Sequence, residues 1–297
     1  MDMDNKLELT EKKVRKKKGR LAETWFRFRK NRSAMIGLVI LVCLVLIAIF
    51  ADVIVPYDNG IKTDGSIRLQ SPSIEHLFGT DKFGRDEFAR IIHATRVSLS
   101  IGLLTSLCSL LGGGLLGAVA GYYGGKIDNF IMRILDIFMC IPFVLLALSI
   151  VAALGPSLVN LLIAMTISAV PGKARLVRSV ILTISDQDYV EAARSYGARD
   201  GRIILKYILP NALGPVIVDT TMGIAGTILG AASLSFIGMG IQPPAPEWGS
   251  MLSDARDFIS KAPYLLYFPG IAIMLAAMSC NLIGDGLTDA LDPKLKD

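Results

Sequence analysis

Residues 33–51 read SAMIGLVILVCLVLIAIFA, an uncharged run of 19 residues between Arg32 and Asp52. A helix rises about 1.5 Å per residue and the hydrocarbon core of a bilayer is about 30 Å thick, so roughly 20 such residues make one crossing. Working outward, four more blocks are free of charge: Val97 to Gly125, Ile137 to Gly172, Thr220 to Pro246 and Ala262 to Gly284. The block from Ile137 runs for 36 residues and is interrupted by Gly155-Pro156. That dipeptide is a turn signal, which divides the block into two spans, the second being Ser157 to Gly172. Six spans are therefore expected, in an all-α polytopic membrane protein. Composition agrees: 297 residues are 52% apolar and 19% charged, with a mean hydropathy of +0.52. A water-soluble domain carries about 25% charge. The 28 glycines have no collagen period, and four cysteines are too few for a disulfide scaffold.

An even number of spans puts both termini on one side. The alternate segments 1–32, 126–136, 173–211 and 285–297 carry 23 of the 31 Lys and Arg residues, against 8 in 52–96 and 247–261. The positive-inside rule then makes both ends cytoplasmic. The expected division is a basic leader at 1–32, a first helix at 33–51, an extracytoplasmic loop at 52–96, a five-helix core at 97–285 and a tail at 286–297. The leader contains KKVRKKKGR at Lys12 to Arg20. Directly before a span, this run reads as an anchor on anionic membrane lipid and not as an arm for nucleic acid. Trp25, Phe26 and Phe28, interleaved with Arg27, Arg29 and Lys30, suit an interfacial helix.

Chemistry of its own is missing from the chain. Lys126 and Lys173 each follow a glycine but lack the other Walker A residues. Cys43, Cys108, Cys140 and Cys280 each stand alone in an apolar block, reading as small hydrophobes. His76 and His93 are expected at the surface of the first external loop, and two histidines alone complete no metal site. Asp219 and Asp285 fall near span ends, where an interfacial place is expected, so no buried carrier for an ion gradient is present. No catalytic, cofactor or metal site is expected.

The segment 173–211 is the one long internal loop, and Asp186 to Pro210 reads DQDYVEAARSYGARDGRIILKYILP. Asp186 or Asp188 is expected to cap a helix, with Glu191 in its first turn. Val190, Ala193 and Gly197 fall near one face, and Gly197 permits a bend. A second helix carries Ile203, Ile204, Tyr207 and Ile208, and Pro210 is expected to end it. By pattern alone this is either a docking surface for a partner groove or a hairpin lying on the bilayer.

Glu191-Ala192-Ala193, Gly197 and Leu209-Pro210 resemble the EAA motif of ABC importer permeases, with Tyr207 where an isoleucine is usual. His76 to Leu99, Ser235 to Leu252 and Asn281 to Pro293 are similar to stretches of the C-type subunits of dipeptide, oligopeptide and nickel permeases. Family members commonly have Pro-Leu at Leu77-Phe78 and an aromatic-Gly pair at His93-Ala94. The resemblance implies a six-helix type I ABC importer permease that forms a heterodimer with a B-type permease. Two cytoplasmic ATP-binding subunits would bind the ATP and Mg, and an extracytoplasmic solute-binding protein would deliver substrate. It further implies a bacterial or archaeal plasma membrane, ATPase coupling through Glu191, Ala192, Ala193, Gly197, Leu209 and Pro210, and peptide as cargo. Nickel, metal chelates and glutathione-like compounds are the alternatives. A stand-alone secondary transporter and a membrane scaffold for ATPases are the readings from other classes.

The external stretches also have local readings. Gly79-Thr80-Asp81 and Gly84-Arg85-Asp86 are turns that position the loop. Pro243-Pro244-Ala245-Pro246 is expected to end the fifth span, and Glu247-Trp248 to set an aromatic at the membrane interface. Asp292-Pro293 should stop the last helix, and the glycine runs at 112–121 and 223–230 should allow close helix packing.

Overall fold

A computed structural model describes residues 20–291. The basic run up to residue 19 and the stop at Asp292-Pro293 lie outside the described residues. Within them the chain is helical, without a β-strand and with one isolated bridge between Thr80 and Asp86. The helices are α1 (Arg20–Lys30), α2 (Arg32–Ile54), α3 (Tyr57–Ile61), α4 (Glu87–Tyr123), α5 (Gly125–Met139) and α6 (Phe143–Leu154). They continue with α7 (Leu158–Ser185), α8 (Asp188–Ser195), α9 (Asp200–Phe236), α10 (Trp248–Ala255) and α11 (Tyr264–Leu291).

Among the described residues, α2, α4, α9 and α11 are each long and apolar enough to cross a bilayer, and α5 with α6 makes a fifth if their 82° break is one bent span. The break falls at Cys140 to Pro142, where a proline precedes α6. The expected fourth span, Ser157 to Gly172, is only the apolar first part of α7. The helix continues to Ser185 because Lys173, Arg175 and Arg178 find carboxylates on neighbours. Lys173 pairs with Asp219 of α9, Arg175 with Asp136 of α5, and Arg178 bidentately with Asp128 of α5. Residues 126–136 and 173–185, expected as loop, are thus helix. Asp219 is a pairing residue rather than a free interfacial carboxylate.

The tightest packing joins α4 to α7 along a glycine stripe. A Cβ on Gly113 would lie 2.6 Å from the Val170 carbonyl oxygen, one on Gly121 2.9 Å from that of Arg178, and one on Gly117 closer still to that of Ala174. Close backbone approach replaces the hydrophobic drive that helices lack in lipid. At the other side of the bundle α1 turns into α2 at Asn31, whose Oδ1 accepts from the Ala34 N–H and whose Nδ2 donates to Asp289 of α11. Phe28 is buried there with Ala34, Ile283 and Ala290.

One end of the bundle, the cap, is built from residues 55–86 and 237–263 and contains the largest departures from expectation. α4 starts ten residues before Val97, capped by Asp86, whose Oδ1 accepts from the Ala89 N–H at 2.8 Å. Its first turns bury Glu87, Arg90 and His93. His93 is no surface residue; its Nε2 lies 2.9 Å from the Val55 carbonyl oxygen. Arg85 Nε donates to Asp81 at 2.6 Å, and Lys82 reaches Asp254 at 2.7 Å. The Tyr264 hydroxyl lies 2.9 Å from the carbonyl oxygens of both Gln70 and Thr80. α9 stops at Phe236, before the prolines at 243–246, because Gly238 takes φ +85° and closes a C-terminal cap. Trp248, expected at the interface, is 0% exposed in the core under α10. Glu247 caps α10 through the N–H groups of Gly249 and Ser250, both at 2.8 Å. Burial pushes its carboxyl above the usual glutamate range, against those same hydrogen bonds. Cys280 is buried as expected, whereas Cys43, Cys108 and Cys140 are on exposed faces.

Candidate functional site

The opposite end of the bundle carries a helical hairpin, α8 and the start of α9. The two helices leave the bundle through different neighbours: α7 runs into α8 after Asp186-Gln187, and α9 returns to the core. α8 begins at Asp188 behind Gln187, which makes no side-chain cap, so neither Asp186 nor Asp188 fills the expected capping role. Asp188 and Glu191 still place negative charge in the first turn, where the dipole favours it.

The buried face of α8 consists of Val190 and Ala193, and Val190 packs in one cluster with Val177 and Ile181 of α7, Ile203 and Ile208 of α9, and Ala118 and Tyr122 of α4. Glu191 and Ala192 are exposed on the opposite face, and Tyr196 is 91% exposed just beyond it. Ala193 therefore anchors the helix, while Glu191 and Ala192 are presented. An open groove of about 460 Å³ beside them is lined by Ser185, Asp186, Glu191, Arg194 and Ser195.

Gly197 terminates α8 with φ +76°. Its N–H donates to the Arg194 carbonyl at 3.0 Å, and the Ala198 N–H to that of Ala193 at 3.1 Å. These two bonds form a Schellman motif, in which the residue at Gly197's position adopts a left-handed conformation. Gly197 does not join the face of Val190 and Ala193; it is exposed, and a Cβ there would meet nothing within 4 Å. The expected bend is a matter of backbone conformation, not of close approach.

Pro210 does not end the second helix. α9 passes through it by way of a π-turn at Ile204–Ile208, in which the Leu209 N–H reaches back to the Ile204 carbonyl. Proline lacks an N–H and its ring collides with the carbonyl four residues earlier, and the wider turn relieves both problems. Leu209 is half-exposed at this turn. The two halves of the motif are brought together by Asn211, whose Nδ2 lies 3.3 Å from the Tyr189 hydroxyl, two residues before Glu191.

Sequence spacing did not reveal a further contact. The Tyr122 hydroxyl at the end of α4 donates to Asp200 Oδ1 at 2.7 Å, and the Arg194 guanidinium carbon lies 5.8 Å from the Tyr122 ring centre. The pair Tyr122-Tyr123 is visible in the sequence as aromatics closing an apolar block. Nothing in its spacing points to a partner 78 positions on.

The family described as binding-protein-dependent transport system inner membrane component matches residues 113–297, and the N-terminal TM domain of oligopeptide transport permease C matches residues 19–72. The dipeptide transport system permease protein DppC of Alkalihalophilus pseudofirmus is 50% identical over 92% of this chain and 90% of its own. The di/tripeptide transport system permease protein DppC of Pseudomonas aeruginosa is 43% identical over 93% of both chains. The glutathione transport system permease protein GsiD of Escherichia coli is 44% identical over 92% of this chain and 90% of its own. Among solved structures, an inward-facing MetNI methionine ABC transporter chain aligns with a TM-score of 0.58 at 19% identity, covering 69% of this chain and 98% of that one. The fold is that of the ABC transporter permeases, and the chain belongs to the family of inner-membrane components of binding-protein-dependent transport systems.

Proposed function

We propose that this chain is one of two permease subunits of an ATP-driven importer of di- and oligopeptides, and that the hairpin of α8 and α9 is where an ATPase subunit docks. The observation that carries this reading is the hairpin itself. It buries Val190, Ile203 and Ile208 against α7 and α4, with Ala193 also buried, and turns Glu191, Ala192, Tyr196 and Leu209 outward. A surface held rigidly from behind and apolar in part on its free side fits a partner groove better than the face of a lipid bilayer. The names of the most similar relatives support peptide as cargo.

In this reading the basic segments lie in the cytoplasm of a bacterial or archaeal cell, and a B-type permease completes the pathway. Two ATP-binding subunits hold ATP and Mg, and an extracytoplasmic binding protein supplies the peptide. Closure of the ATPases moves the two hairpins and rocks the bundles between inward- and outward-facing states. The residues assigned to contact are Glu191, Ala192, Tyr196, Leu209 and Pro210, with Ala193 and Gly197 holding the surface in shape. Glutathione is the second cargo to test, since a GsiD relative, at 44% identity, falls between the two peptide permeases at 50% and 43%.

Reconstitution of the whole complex in proteoliposomes tests the proposal. Labelled dipeptide should enter only with ATP, the ATPases and the binding protein. Glu191→Lys should weaken ATPase co-purification or lower uptake per ATP hydrolysed. Uptake driven by an ion gradient without ATPases, or wild-type assembly and coupling in Glu191→Lys, would refute it.

A further inference from the structure

The hairpin has two covalent tethers, one to α7 at Ser185 and one through its own second helix into α9. Two tethers alone would leave one motion, a rotation of the hairpin about the line that joins them, which its buried face on α7 and α4 resists. A third contact off that line restrains it further. α4 supplies such a contact without any covalent link to the hairpin. Tyr122, the penultimate residue of α4, donates its hydroxyl proton to Asp200 Oδ1 at 2.7 Å, and Asp200 is the first residue of α9. Its ring lies 5.8 Å from the guanidinium carbon of Arg194, in the last turn of α8. One side chain therefore touches both helices of the hairpin, on either side of the turn at Gly197.

The support behind Tyr122 is stiff. Gly121 precedes it and sits against the Arg178 carbonyl, closing the stripe that presses α4 onto α7. α4 runs for 37 residues, about 55 Å at the helical rise. Its far end buries Glu87 and Arg90 in the cap. A push on the hairpin that reaches Tyr122 is thus delivered to a helix fixed at both ends of the bundle.

Resting on the docking role given above, we infer that Tyr122 is a positioning residue for coupling: with Asp200 and Arg194 it clamps the hairpin to α4, so that ATPase closure displaces α4 and not only α7 and α9. Tyr122 contacts neither nucleotide nor peptide; it acts by holding the hairpin's angle. Removing its hydroxyl leaves the packing of the ring and of the hairpin's buried face in place and weakens the restraint on that rotation.

The test uses the complete complex in proteoliposomes, with labelled dialanine delivered by the binding protein as probe and dialanine imported per ATP hydrolysed as readout. Tyr122→Phe and Asp200→Ala, which each remove the bond, should each lower that ratio several-fold, the scale of one solvent-exposed hydrogen bond. Both variants should still co-purify with the ATPases. The double variant should be no worse than either single one, because both remove the same bond. Parental ratios in the single variants would overturn the inference. So would multiplying effects in the double variant, or loss of assembly in Tyr122→Phe. Gly197→Val separates this inference from the docking role beneath it. If Gly197→Val lowers the ratio while Tyr122→Phe does not, only the clamp fails; if neither changes it, the docking role fails as well.

Discussion

Replacing Gly197 separates a backbone requirement from a steric one. At φ +76° an L-residue pays for a left-handed conformation, about 1–2 kcal/mol in the general case. Asparagine pays least, because its short polar side chain hydrogen-bonds locally and is enriched in this region. A β-branched residue is a true outlier there. Since no atom lies within 4 Å of a Cβ built at Gly197, the free hairpin has no clash to add. The expected order of damage is therefore Asn least, Ala about 1–2 kcal/mol, and Val at or above the top of that range. At 1.4 kcal/mol per factor of ten, Gly197→Ala should open the cap of α8 roughly 5- to 30-fold more often. Hydrogen exchange at the amides of Gly197 and Ala198, which close the Schellman motif, reads this directly in the purified permease. Co-purification of the ATPases reads the consequence. If Ala exchanges like the parent and only Val is impaired, side-chain bulk is what matters and the backbone reasoning is wrong. If Asn protects these amides yet abolishes docking, the partner approaches this position so closely that no side chain fits.

Three further expectations follow from the packing, the topology and the cap. Gly117→Ala should destabilise the solubilised permease by about 1–3 kcal/mol through overpacking against the Ala174 carbonyl, while Gly114→Ala, with only Leu110 of its own helix nearby at 3.6 Å, should be neutral; equal thermal stabilities would refute the glycine stripe. In a variant without native cysteines, impermeant thiol reagent added to whole cells should label Arg68→Cys and not Ser195→Cys; both positions are exposed, so equal labelling would overturn the orientation. Arg85→Met should cost about 1–3 kcal/mol, because Asp81 loses its closest guanidinium but keeps Arg90, and Asp254 keeps Lys82; a thermal midpoint like that of the parent would show the pair to be solvated.

The apolar blocks made the bundle legible, because nothing else in lipid satisfies the backbone of so long an uncharged run. The turn at Gly155-Pro156 falls between α6 and α7 as read. The hairpin was located by its motif, and its buried face by the spacing of Val190 and Ala193. Helix ends were less legible wherever a charge was taken as a boundary. Glu87 and Arg90 do not stop α4, since the cap buries them, and Lys173, Arg175 and Arg178 do not stop α7, since each meets a carboxylate distant in sequence. Pro210 misled for a related reason: a stop signal in the local code is absorbed by a π-turn that only the tertiary setting selects. Trp248 was assigned to the interface by residue type, whereas its place under α10 depends on where Glu247 begins that helix. The Tyr122 contact had no local signal at all.

The cap also dictates an order of events during synthesis. Arg85, Glu87 and Arg90 are made 164 or more residues before Asp254, and Tyr264 follows later still. At about 5–20 residues per second, that separation is on the order of ten to thirty seconds. Throughout that time Arg85, just before α4, and Glu87 and Arg90 in its first turn hold charges whose burial awaits α10 and the start of α11. They stay in water until then, so α4 is expected to cross with its charged end outside the lipid and to be covered when the last helical pair arrives. A chain arrested before Trp248 would have most of its spans and still present an open, charged helix end to proteases. Completion of this subunit is thereby recorded at the cap, by the closing of Asp254 and Tyr264 over residues made long before.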